Sequence, residues 1–210
     1  MSALFSLMAQ SLLIMCLCLV LLQVRRWGKF WPVGYAIAAI VMVLPIQHWL
    51  VIEFSRGLLG DLSFASLLML GTYLFSIMRS NRVNNTNSFN GLVILLAIIL
   101  YPSSLGLGYF DMYTTGFASD GYYSYLVSIV ALLGVMAWYL GYAQIAIWLT
   151  LSVLAHGLNL FESNNLWNYL LDPLVVIACF ISLIIKACKT LFSKYKSHAH
   201  NGGSNVQSNA

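Results

Sequence analysis

The chain has 210 residues, 60% of them hydrophobic and only 8% charged, with a mean hydropathy of +0.84. Apolar runs of about 20 residues, long enough to cross a bilayer, recur along it, which excludes an ordinary soluble domain. The net charge of +4 is dispersed among loops rather than gathered in a patch, so no nucleic-acid partner is expected.

Residues 3–24 form the first expected span. No basic residue precedes it and no small-residue cleavage site follows, so it does not read as a signal peptide. After RRWGK comes a second expected span at 31–52, with Pro45 as a kink. The third is 62–78, and the polar loop RSNRVNNTNSFN leads to a fourth at 91–108, which Pro102 interrupts. Residues 122–140 and 142–160 are joined by almost nothing and predict a tight helical hairpin. A last span covers 166–185, or starts at Pro173 if the Asp172-Pro173 pair lies outside it. Only helices or closed barrels satisfy the backbone in lipid, so residues 1–196 are expected as one all-α bundle of seven transmembrane helices. Residues 197–210, SHAHNGGSNVQSNA, have no core to join and are expected as a disordered cytoplasmic tail. The four cysteines lie in or beside apolar segments and read as buried or reduced thiols rather than a disulfide framework.

Charge sets the orientation. Nine of the ten basic residues fall on one side of the seven-span arrangement, and all six acids (Glu53, Asp61, Asp111, Asp120, Glu162 and Asp172) fall on the other. The positive-inside rule then places the amino end outside and the carboxyl end in the cytoplasm. The sequon Asn84-Asn85-Thr86 falls in a loop expected to be cytoplasmic and is set aside. Short loops and small size point to a bacterial cytoplasmic membrane.

The exception among the bases is Arg56, in QHWLVIEFSRGLLGD (47–61). Glu53 and Asp61 are its nearest counter-charges in sequence, so an ion pair or triad is the plain reading. Its planar fork also suits phosphate or carboxylate, which makes Arg56 a candidate anion clamp. Asp61, Asp120 and Asp172 each precede a helix entering from the outer side, where a carboxylate caps free N–H groups and meets the positive end of the dipole. Along the sixth span Gln144, Ser152, His156, Asn159 and Glu162 fall within an arc of about 120° and predict a polar stripe. His48 and His156, each about a turn from the outer end of its span, could face one another and hold a metal or haem. Two histidines without a fixed spacing are too few for zinc, so no metal or cofactor is assigned. Ser152-x-x-x-His156 is similar to one element of the ceramidase-like metal hydrolases, but the last span holds no histidine, and no family is assigned.

The expected function is that of a non-catalytic envelope protein binding a membrane partner or lipid headgroup. The ligand set is Arg56, His48, Glu53, Asn159 and Asp172. The alternative is a membrane enzyme acting on a lipid-linked anionic substrate at the outer leaflet, with His156, Glu162 and Asp61 as its acid–base set. A proton-coupled carrier ranks third, because no charged residue falls near the bilayer centre.

Overall fold

The computed structural model describes residues 2–46, 49–79 and 87–204, and these are all-α apart from a two-residue hairpin pairing and an isolated bridge between Phe117 and Asn165. Helix α1 (Ser2–Leu21) ends where Gln23 takes a left-handed conformation. Helix α2 (Trp31–Met42) starts with Pro32 in its first turn, where a missing N–H costs nothing. It stops ten residues short of the expected second span. Pro45 is the reason: its ring keeps Leu44 out of the helical region and it has no N–H to give. The backbone instead pairs Pro45–Ile46 with Trp49–Leu50 in antiparallel register, and Val51 N–H donates to the Leu44 carbonyl at 3.1 Å.

Helix α3 (Val51–Leu59), which the sequence reading absorbed into neighbouring segments, opens with Glu53 accepting the Leu50 N–H at 3.0 Å. Helix α4 (Phe64–Arg79) is capped by Ser63, whose Oγ accepts the Ser66 N–H at 3.3 Å. Helix α5 (Asn87–Ser104) keeps Pro102 in its last turn, so the expected interruption is only its end. Helices α6 (Tyr123–Tyr139) and α7 (Ala143–Gly157) form the expected hairpin. Gly141, at φ +79°, permits the turn between them: Tyr142 N–H reaches the Ala137 carbonyl at 2.8 Å and Gly141 N–H the Trp138 carbonyl at 3.0 Å. A short α8 (Leu166–Leu170) precedes α9 (Pro173–Ser204), whose start at Pro173 decides between the two boundaries left open by sequence. The α9 backbone is helical through residues 197–204, where a disordered tail was expected; residues 205–210 and the sequon at 84–86 lie outside the described residues.

Among the described residues two helices are long and apolar enough to cross a membrane, Asn87–Ser104 and Pro173–Phe192. Ser6–Leu21, Pro32–Met42, Phe64–Ser76, Tyr123–Tyr139 and Ala143–Gly157 are apolar but shorter. Helix α4 lies between two buried clusters, one with α1 (Ala9, Cys16, Leu19) and one with α5, α7, α8 and α9 around Trp148. Trp148 has no exposed surface, meets Phe89 edge-on at 5.3 Å and donates Nε1–H to the Leu170 carbonyl at 2.9 Å.

The helix ends fall into two sets. At one end Asn87 of α5 meets Lys186 of α9, with Asn90 donating to Ser182 at 3.1 Å one turn further in. At the other, the start of α1, α3, the start of α4, the segment after α7 and the start of α9 come together through polar side chains. That second end is also covered by two loops. Trp167 Nε1–H donates to the Met112 carbonyl at 2.8 Å, Asn165 Nδ2 to the Tyr113 carbonyl at 2.9 Å, and Tyr113 Oη–H to Asn168 Oδ1 at 3.1 Å.

Candidate functional site

The second end carries an ionic cluster centred on Asp61. One carboxylate oxygen accepts a hydrogen bond from the Ser6 hydroxyl and lies 3.7 Å from Arg56 Nε; the other accepts the Glu162 N–H at 3.3 Å. Arg56 completes the triad by donating Nη2–H to Glu162 Oε1 at 2.5 Å. Gln10 ties α1 to the same corner, with its amide nitrogen donating to the Gly60 carbonyl at 2.7 Å while its oxygen accepts from the Ser55 hydroxyl at 3.2 Å. Ser6 and Gln10 stand one turn apart and have no exposed surface, so these contacts satisfy polar groups that burial would otherwise penalise.

Beside the cluster is an open cleft of about 510 Å³ lined by Leu7, Glu53, Arg56, Gly57, Gly60, Asp61 and Glu162. Among the described residues, its lining brings together three carboxylates and one guanidinium. Glu53 points toward the helix start and bonds the Leu50 N–H, so the partners of Arg56 are Asp61 and Glu162 rather than its neighbour in sequence. One guanidinium nitrogen, Nη2, is committed to Glu162, and Nε stands within ion-pair distance of Asp61, so an anion here would compete with two carboxylates for Arg56.

Asp172 is a structural cap. Buried, it accepts from Val175 N–H at 2.8 Å in its own helix and from Ser63 N–H at 2.7 Å and Ser66 Oγ–H at 2.9 Å of α4. It thus neutralises the positive ends of two helix dipoles at once. Asp120 was expected to cap α6 but accepts the Tyr122 N–H at 2.7 Å in a turn just before the helix. Asp61 was expected to cap α4 but lies two residues ahead of the capping Ser63, which frees its carboxylate for the cluster.

The expected stripe on the sixth span is not continuous. Asn159 adopts φ +49°, and the Leu160 N–H to Ala155 carbonyl bond at 3.1 Å closes the end of α7. Asn159 is therefore a helix stop, the role its tolerance of left-handed backbone suits, and Glu162 lies beyond the helix. Ser152 donates to the Trp148 carbonyl at 2.8 Å and the Tyr169 carbonyl at 3.1 Å, so it fastens α7 to α8. His156 is buried, with Nδ1 2.9 Å from Tyr123 Oη and Nε2 3.2 Å from the Asn164 carbonyl. A neutral ring protonated at Nε2 satisfies both contacts: Nε2–H donates to the carbonyl and Nδ1 accepts from the phenol. His156 does not line the cleft, and the acid–base set His156, Glu162 and Asp61 is brought together only in its two carboxylates. Its ring packs edge-on against Tyr169 at 5.1 Å. Burial pushes the Tyr169 hydroxyl above its ordinary pKa; the Phe161 backbone bond opposes this and the Asp61 charge adds to it.

His48 lies outside the described residues. Among the described residues no group of three or more His, Cys, Asp or Glu side chains is placed to hold a metal ion. The sequence reading missed Ser6, Gln10, Ser63 and Ser66. Ser6 and Gln10 had left a sign, two polar residues at i and i+4 in an apolar run. Comparison with family models, with curated proteins and with solved structures finds no match for this chain.

Proposed function

We propose that this is a multi-pass protein of the bacterial cytoplasmic membrane, with seven crossings, its amino end outside and its carboxyl end in the cytoplasm. In this reading it is not an enzyme but binds a lipid headgroup or a membrane partner in the outer cleft beside Arg56. The observation that carries the reading is the meeting of Ser6, Arg56, Asp61 and Glu162 from segments far apart in sequence, at one end of the helices. That is the end which the separation of acids from bases assigns to the outside. Two further features support it. Large apolar side chains such as Ile40, Ile98, Leu132 and Ile177 stand exposed on α2, α5, α6 and α9, more than a surface bathed in water tolerates. Helices α1, α2, α4, α6 and α7 are apolar too, though shorter.

The surplus of carboxylate in the cleft favours an ammonium group, borne by an aminophospholipid or by a basic segment of a partner. An anionic substrate would meet repulsion from Glu53, Asp61 and Glu162, which weakens the enzyme reading.

Substitution at Arg56 tests the arrangement. Glu162 is 63% exposed, so screening limits the pair, and Arg56→Ala is expected to cost no more than about 1 kcal/mol, read as a small drop in melting temperature in detergent. Arg56→Lys keeps the counter-charge and should recover most of that loss. In native mass spectrometry the wild-type chain should retain phosphatidylethanolamine over phosphatidylglycerol, and Glu162→Gln should reduce that preference. Selective retention of the anionic lipid would overturn the ammonium reading.

A further inference from the structure

Helix α3 buries none of its residues, yet it is strongly two-sided. At 100° per residue, Glu53, Arg56 and Gly57 share one side, and these three line the cleft. Ser55 turns toward α1, where its hydroxyl bonds Gln10 at 3.2 Å. Phe54 and Leu58, one turn apart on the side away from the cleft, are 54% and 73% exposed. Ile40, Val43, Leu44 and Leu50, ahead of this helix in the chain, are exposed as well. Nine residues make a helix of about 13 Å, far too short to cross a bilayer but of the kind that rests along its surface.

We infer that α3 lies in the plane of the outer leaflet, with Phe54 and Leu58 seated at the boundary between headgroups and acyl chains. The inference rests on the outward orientation proposed above. Its occupant is the lipid itself rather than a protein. The uncovered face lies on the same stretch of chain as the exposed apolar residues at the end of α2, and the helix keeps its charged groups on the opposite side, as an interfacial helix does. A consequence follows for the cleft. With α3 embedded at this depth, the cleft beside Arg56 opens at headgroup level, and a lipid headgroup reaches it by moving along the surface.

The test uses the full chain in nanodiscs of phosphatidylcholine and phosphatidylglycerol, with the native cysteines replaced and one spin label per variant. Phe54→Cys and Leu58→Cys report the apolar side, Gly57→Cys the polar side, and Ile98→Cys and Ile177→Cys the long helices. Labels at 54 and 58 should be accessible to oxygen and protected from a water-soluble nickel chelate, at a depth of about 5–10 Å. The label at 57 should show the reverse. Nickel access at 54 and 58 equal to that at 57 would place α3 in water and overturn the inference. Protection of 54 and 58 from both reagents would show a protein covering them and overturn it equally. Lipid contact at 98 and 177 in either case would leave the membrane reading standing; nickel access there would bring down both.

Discussion

Asp172→Ala should destabilise the protein by about 3–5 kcal/mol, the range for removing one member of a buried charged network. The carboxylate accepts from Ser63 N–H, Ser66 Oγ–H and Val175 N–H, and alanine leaves all three donors buried without a partner. The loss falls on two helices, because the same side chain caps α9 and holds the start of α4. Asp172→Asn keeps one acceptor oxygen but turns an amide N–H₂ toward a donor, so its cost should be intermediate. Reversible unfolding in mixed micelles measures both. An alanine variant within about 1 kcal/mol of wild type would remove the double cap from this account.

Gly116→Ala should cost about 3 kcal/mol, the upper part of the range for overpacking. A Cβ at Gly116 would stand 1.9 Å from Asn165 Oδ1 and 2.7 Å from Trp167 Cδ1. Neither neighbour can give way cheaply. Asn165 has no exposed surface; its Nδ2 is bound to the Tyr113 carbonyl and its Oδ1 to the Trp167 N–H at 2.9 Å. Relief would break the contacts joining residues 111–117 to α8, so protease access to this cover should rise along with the loss of stability. Unchanged melting and unchanged proteolysis would show that the two loops are not locked as described.

Apolar run length located the longer helices but not their ends, and it did not separate the short α3 and α8. The second span was read as continuous through residue 52 because its composition stays apolar. The single residue Pro45 decided otherwise by stopping the backbone ladder. Residues 53–59 fall between the second and third expected spans, and no helix is expected there. A nine-residue helix between two longer apolar runs gives too few turns for its period to stand out.

For the site, Arg56 was legible as a counter-charge to the acids nearest it in sequence, whereas its partner Glu162 comes from the segment after α7. The preference for Asp61 over Glu53 was not, because it depends on how α3 is turned about its axis. Asn159 and Glu162 were placed on a helical stripe by arithmetic that assumed the helix continues. The left-handed backbone at Asn159 ended it, and asparagine at that position had been the available signal. His156 was singled out because an imidazole in an apolar segment invites a chemical role. Its bonds to Tyr123 and Asn164 come from loops and helices whose meeting no spacing rule predicts.

The most direct measurement of the central claim, that the Arg56–Asp61–Glu162 end faces outward, is cysteine labelling across the membrane. Exposed Ser119 reports the loop that covers this end, and exposed Lys189 on α9 reports the other. With Cys16, Cys18, Cys179 and Cys188 replaced, Ser119→Cys should react with an impermeant maleimide in intact cells. Lys189→Cys should react only after permeabilisation. Equal labelling of the two positions in intact cells, or labelling of 189 alone, would contradict the account.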